Sequence, residues 1–386
     1  MSWEKVKLID CCVSIADGDH QPPPKSETGI PFVTIANIVN NQFDFTNSMF
    51  VPNYYYEKLD SKRKAQRGDI LYSVVGSFGI PVFIKDNKPF VFQRHIAILR
   101  PNGNIDARFL YYTMLSRDFY MKADAAAIGA AQRTVSLTAL RNIEITVPPI
   151  ETQRRIADIV SAYDDLIENN RKQIKLLEEA AQRLYKEWFV NLRFPSYEHA
   201  KIVDGVPEGW EEDCLSKIAE FKRGKTITKA QIEPGTVPVV AGGLEPVYYH
   251  NVANTKAPVI TVSGSGANAG FTRMYHTDVF ASDCSFIDKS TCAFLPFVYC
   301  FLTHHKAKLD SLKKGSAQPH VYAKDINALH ICVPNEDFLH RFCDFAELLF
   351  SKIGLLEKQN KDLTQVRDRL LPKLMSGEIE VYPTKR

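Results

Sequence analysis

The chain contains itself twice. Gly129-Ala-Ala-Gln132-Arg-Thr-Val135 returns as Gly315-Ser-Ala-Gln318-Pro-His-Val321, an offset of 318 − 132 = 186. The register then holds without a gap: Ile145-Thr-Val147-Pro148 meets Ile331-Cys-Val333-Pro334, Arg155 meets Arg341, Lys172-Gln173 meets Lys358-Gln359, and Leu184 meets Leu370. Upstream the copies correspond only with gaps: Trp3 with Trp210, Pro31 with Pro238, the Gly76-Ser77 turn with Gly264-Ser265, and Phe109-Leu-Tyr111 with Phe297-Val-Tyr299. A period this long is a duplicated domain, since solenoid units run roughly 20 to 50 residues. The fold must therefore be a variable domain followed by a shared segment, made twice.

The shared segment is helical by its period. Ile156, Val160, Tyr163, Ile167, Asn170, Ile174, Leu177, Ala181, Leu184 and Trp188 step alternately by four and three residues, which is a heptad seam. Pro148-Pro149 mark its start and Pro195 lies beyond its end. The second copy steps through Phe342, Ala346, Leu349, Ile353, Leu356, Asn360, Leu363, Arg367, Leu370 and Leu374, with Pro372 disturbing its last turn. Either seam alone would expose an apolar stripe to water, so the two helices are expected to pack against each other. Each carries one Asn, and antiparallel pairing with a constant index sum of 170 + 360 = 530 brings Asn170 opposite Asn360. The variable domains read as mixed and β-rich, with strands in 69–75, 82–85, 96–100 and 258–263 and short helices near 107–116 and 295–304. The fold class is α+β: two such domains joined by two long helices in an intramolecular antiparallel coiled coil, with a pseudo-twofold repeat. The expected divisions are 1–149, helix 150–193, linker and second domain 194–335, helix 336–376 and tail 377–386.

Charge excludes a global polyanion-binding field: 48 Lys and Arg against 45 Asp and Glu leave +3, so any nucleic-acid surface is local. Eight cysteines without a CxxC pair, and no HExxH, predict free thiols and no metal site. The longest apolar runs, such as 293–302, are far short of the roughly 20 residues that span a bilayer, and MSWEKVKL has no signal-peptide core. The expectation is a soluble, cytoplasmic protein with no membrane partner.

At Val147-Pro-Pro-Ile-Glu-Thr-Gln-Arg-Arg-Ile-Ala-Asp-Ile-Val160, Leu184-Tyr-Lys-Glu-Trp-Phe189, Gly205-Val-Pro-Glu-Gly-Trp210 and Leu370-Leu-Pro-Lys-Leu-Met-Ser-Gly-Glu-Ile379, the chain resembles a DNA specificity subunit of a type I restriction-modification system. The resemblance implies that each variable domain is a target-recognition domain reading half of a bipartite, asymmetric site in double-stranded DNA. It implies that the helices space these domains and dock two methyltransferase subunits, with restriction translocase subunits as further partners. It also implies a non-catalytic chain without a cofactor, S-adenosylmethionine and ATP belonging to partner subunits. No Asn or Asp followed by Pro-Pro and an aromatic residue occurs for adenine methylation, and no GxxxxGK[ST] loop for a translocase. A coiled-coil scaffold or DNA-binding regulator acting without modification enzymes is the alternative. About 39 residues of helix rise roughly 58 Å, against about 34 Å per DNA turn, so the helices can act as a ruler between half-sites.

Candidate DNA contacts fall into two kinds. Lys62, Arg63, Lys64 and Arg67 in the first domain, and Lys222, Arg223 and Lys225 in the second, are clustered cations suited to phosphate. For base reading the repeat is its own discriminator: positions alike in both copies serve shared tasks, and two different half-sites must be read by positions that differ. Gln132 and Gln318 are thereby demoted, while Arg133 and Thr134 against Pro319 and His320 differ and carry groups able to meet base edges. Ser77, Phe78 and Arg94 in the first domain, and Ser265, Asn268 and Arg273 in the second, complete the base-reading candidates.

Overall fold

The computed structural model describes residues 3–130, 132–203, 205–315 and 318–381, so the end of the expected tail, 382–386, lies outside the described residues. The chain forms two compact units, Met1–Leu166 with Asp362–Arg386, and Ile167–Lys361. Each unit combines a head with parts of both long helices. A lone amphipathic helix has no core, and its apolar face joins whichever core covers it.

The two heads share one topology. In the first, a four-stranded antiparallel sheet runs Cys12–Asp17, Ile96–Pro101, Ile70–Ser73, Pro81–Phe83. In the second, the order is Lys222–Arg223, Cys284–Asp288, Val259–Ser263, Thr272–Tyr275. A three-stranded sheet accompanies each, and its middle strand, Ile30–Val33 or Val237–Val240, pairs parallel with Val91–Phe92 or Phe280–Ala281. A two-stranded ribbon closes each head onto its helix, Glu4–Lys7 with Glu144–Val147 and Glu211–Cys214 with His330–Val333. The central strands Ile70–Ser73 and Val259–Ser263 are buried at every position, which is why they read as continuous apolar runs. Helices Ala107–Leu115 and Leu295–His304 fall where the sequence placed them, the first capped by the Asp106 carboxylate accepting from the N–H groups of Arg108 and Phe109.

The long helices span Ile150–Tyr185 and Glu336–Met375. The first continues as a π turn through Val190, short of the expected 193. Pro372 lies inside the second helix, which ends three residues later at Met375; Gly377, at φ 75°, stands beyond it in the left-handed conformation usual after a helix. No seam position on either helix is fully exposed. In the first unit Ile156, Ala157 and Val160 share a core with Leu371 and Leu374; in the second Ala181 and Trp188 share one with Phe342, Ala346 and Ile353. The Asn170 amide is buried and donates to Asn360 Oδ1 at 3.0 Å and to Gln359 Oε1 at 3.1 Å, so the two seam asparagines occupy one layer. The Asp164 carboxylate accepts from Arg367 at 2.6 Å and from the Tyr112 hydroxyl at 2.8 Å, which explains how an Arg sits at a seam position.

All eight cysteines are free. Among the described residues no three His, Cys, Asp or Glu side chains gather to hold a metal ion, and no helix is long and apolar enough to cross a membrane.

Candidate nucleic-acid interface

Each head builds the same backbone cradle at the end of its central strand. In the first, Gly76 N–H donates to the Arg133 carbonyl at 2.9 Å and Val135 N–H to the Val74 carbonyl at 2.9 Å, while Ile128 and Thr134 exchange both backbone hydrogen bonds. In the second, Gly266 N–H donates to the Pro319 carbonyl at 3.0 Å and Val321 N–H to the Gly264 carbonyl at 3.0 Å, with Lys314 and His320 making the exchange. Gly76 therefore corresponds to Gly266, both at positive φ, 69° and 78°, where glycine is favoured. This corrects the sequence pairing of Gly76-Ser77 with Gly264-Ser265 by two residues. Matching the Gly-Ser dipeptide selected the wrong glycine, because the hydrogen bonds and not the letters define the turn.

On this common frame the side chains differ. In the first head Phe78 stacks on Tyr120 with ring centroids 5.8 Å apart and planes 6° from parallel. The Arg133 guanidinium lies 5.7 Å from the centre of the Phe78 ring and is held by the Asp124 carboxylate and, at 2.6 Å, its carbonyl. Gly79, at φ 94°, is required here, since a Cβ would come within 2.6 Å of the Tyr120 ring. Ser77 is exposed at the turn, Thr134 is half-buried beside it, and Arg94 is exposed next to His95, whose carbonyl accepts from Val74 N–H.

In the second head the turn carries Asn268, half-buried, in place of the aromatic tier. The Ser265 hydroxyl donates to Asp283, and His320 stacks on Tyr322 at 5.9 Å and 12°. Ser265, His320 and Tyr322 line a cleft of about 370 Å³ together with Arg223, Asp283 and Gln318. Two base-reading candidates and one phosphate candidate thus meet in one concavity.

Arg273 does not join them. Its guanidinium contacts the Leu244 carbonyl at 3.3 Å and Glu245 at 3.5 Å, lies 4.9 Å over Tyr275, and only partly counters the burial that raises the pKa values of Glu178 and Glu357 on the long helices. Its side chain stays one-third exposed beside the largely exposed Glu245, outside the Ser265–His320 cleft.

The basic clusters divide as well. In the first, Lys62 and Arg67 are exposed, but Arg63 faces Asp17 at 3.5 Å and Lys64 donates to the Glu57 carbonyl at 2.8 Å while covering Tyr56. Lys62, Arg63 and Asp17 line an open cleft of about 610 Å³ with Arg141, whose guanidinium donates to the Ile15 carbonyl at 2.6 Å. In the second, Lys222 and Arg223 stand on an exposed edge strand and Lys225 just after it. Sequence does not single out Tyr120, Arg141 or Tyr322: the first two reach their sites by long-range contacts, to Phe78 and to the Ile15 carbonyl, and Tyr322 by a stack on His320 two residues away.

The family of the type I restriction modification DNA specificity domain matches residues 2–179 and 207–365, once for each copy of the repeat. The chain belongs to this family. It is 26% identical to the type I restriction enzyme MjaIX specificity subunit of Methanocaldococcus jannaschii, over 98% of this chain and 94% of that one. It is 23% identical to the HindI specificity subunit of Haemophilus influenzae, over 91% and 94%. The crystal structure of the S subunit of a type I restriction-modification system from M. genitalium shares the fold, with a TM-score of 0.60, 19% identity and 96% of each chain covered.

Proposed function

We propose that this specificity-family chain reads a bipartite, asymmetric target in double-stranded DNA, one half-site per head, and recruits modification enzymes to it. One observation carries the reading: an identical backbone cradle in both heads presents different side chains, Phe78, Tyr120 and Arg133 in one and Asn268, His320 and Tyr322 in the other. Equal frames with unequal side chains are what two different half-sites require. Lys62, Arg67, Lys222, Arg223 and Lys225 supply phosphate contacts that fix position without carrying sequence. The chain acts without a cofactor of its own. Methyl transfer and ATP-driven translocation belong to partners, two methyltransferase subunits and restriction subunits. The exposed stripe Phe345, Leu348 and Leu355 on the second long helix supports a protein partner there, since apolar stripes of this kind are normally covered.

The test is coexpression with the methyltransferase subunit and mapping of modified adenines. Losing one base-edge contact worth about 1–3 kcal/mol lowers modification roughly 5- to 150-fold. The expected result is that H320A relaxes or loses only one half of the recognised sequence, and R133A or Y120A only the other. Unchanged sites in all three variants, or wild-type modification without sequence preference, would sink the proposal.

A further inference from the structure

The second long helix carries a glycine in its interior. Gly354 lies well inside Glu336–Met375, where glycine is the least favoured residue after proline, so its presence needs a packing reason. The reason is His276, just past strand Thr272–Tyr275 of the second head: a Cβ on Gly354 would come within 2.7 Å of both Cβ and Cγ of His276. These are atoms close to the backbone and not the tip of a flexible chain, so one element would have to move.

The surroundings are closely packed. His276 stacks on Phe350, one helical turn before Gly354, at 6.5 Å and 24°, and Tyr299 meets the same ring edge-on at 5.5 Å. Burial pushes the His276 pKa down to about 4, so the imidazole is neutral at physiological pH. On the strand before it Arg273 lies near enough to Glu178 and Glu357 to draw their pKa values down, and Gln182 of the first long helix bonds the Thr303 hydroxyl. The first head differs at the equivalent place. Counting from the paired strand positions Leu71–Val82 and Thr261–Arg273, the counterpart of His276 is Lys85, half-exposed, whose ammonium lies 3.9 Å from the largely exposed Asp165. A charge pair at that distance tolerates sliding, whereas a ring wedged over a glycine does not.

We infer that Gly354 and His276 form a keyed joint that fixes how the second head seats on its own two helices, making Gly354 a positioning residue. Its functional consequence rests on the DNA-reading proposal: shifting the seat moves the second head's reading residues without changing them. The half-site sequences should then survive a disturbed joint while the number of unread base pairs between them changes.

The decisive variants are G354A, H276A and their combination, each in the full chain with its methyltransferase. G354A is expected to keep both half-site sequences, to lower modification at the original spacing at least tenfold, and to admit sites with a longer or shorter spacer. H276A makes room for the added methyl group, so G354A with H276A should restore the original spacing. In thermal melts, G354A should lower the Tm in the wild-type background and raise it in the H276A background, where only the helix preference for alanine remains. A G354A chain that is more stable than wild type and modifies the original sites within twofold overturns the inference, as does a double variant no better than G354A. If wild type shows no sequence-specific modification, the DNA-reading proposal fails on its own, and the melts still decide the joint.

Discussion

At the scale of single residues, burial sets what a side chain can do. His276 titrates near 4 in the folded protein because burial disfavours its charged form, against about 6.5 when unfolded. Between those values the unfolded chain binds a proton that the folded chain refuses. Stability from this group is therefore complete above pH 6.5 and is lost as pH falls toward 4, by at most about 3 kcal/mol. Urea unfolding at pH 7.5 and pH 5 should show a larger loss for wild type than for H276Q, and an identical loss in both would contradict it. Neither this histidine nor its glycine was visible as a pair in the sequence, 354 − 276 = 78 residues apart. Arg273 shows the same limit from the other side: its type suits DNA, but only the fold reveals the Glu245 carboxylate beside it. Residue type declares chemistry, and long-range packing decides whether that chemistry is free.

At the scale of elements, periodic structure was legible and aperiodic structure was not. The heptads predicted both long helices and the Asn170–Asn360 layer because burial forces apolar residues into a fixed step, and a polar interruption is costly unless matched. The turns at Gly76 and Gly266 were misaligned because a turn is defined by its hydrogen bonds, which the chain makes with residues more than fifty positions away. The asparagine layer makes its own prediction. N170L strands the Asn360 amide beside apolar side chains and should cost about 1–3 kcal/mol. N170L with N360L removes both amides and should recover that loss or exceed it, while the helices lose the polar layer that specifies their register. Chemical denaturation of the three variants checks this, and a double variant as weak as the single one would refute it.

At the scale of the whole molecule, the duplication means that residues 1–195 contain one head and one complete long helix. Two such half-chains should assemble through the seam as an antiparallel homodimer, the second copy of Ile150–Tyr185 replacing Glu336–Met375. The fit would be poorer: the 186-residue offset puts Ala181 where Arg367 stood, so Asp164 loses its partner, and Asn170 meets Ile174 in place of Asn360. The half-chain with its methyltransferase should modify an interrupted palindrome of the first half-site, with a weaker complex than the full chain. Modification confined to the original asymmetric site, or a half-chain that stays monomeric beside its partner, would defeat the expectation. The compact units also interleave along the chain, Ile167–Lys361 lying wholly between the two pieces of the other. Synthesis therefore finishes them in reverse. The inner unit is complete at residue 361, while the unit begun first waits for its closing segment to leave the ribosome. The wait from Leu166 to Leu374 spans 374 − 166 = 208 residues, about 10–40 s at roughly 5–20 residues per second. For that interval the first head's core lacks Leu371 and Leu374, and a nascent chain must hold an early apolar surface open until they arrive.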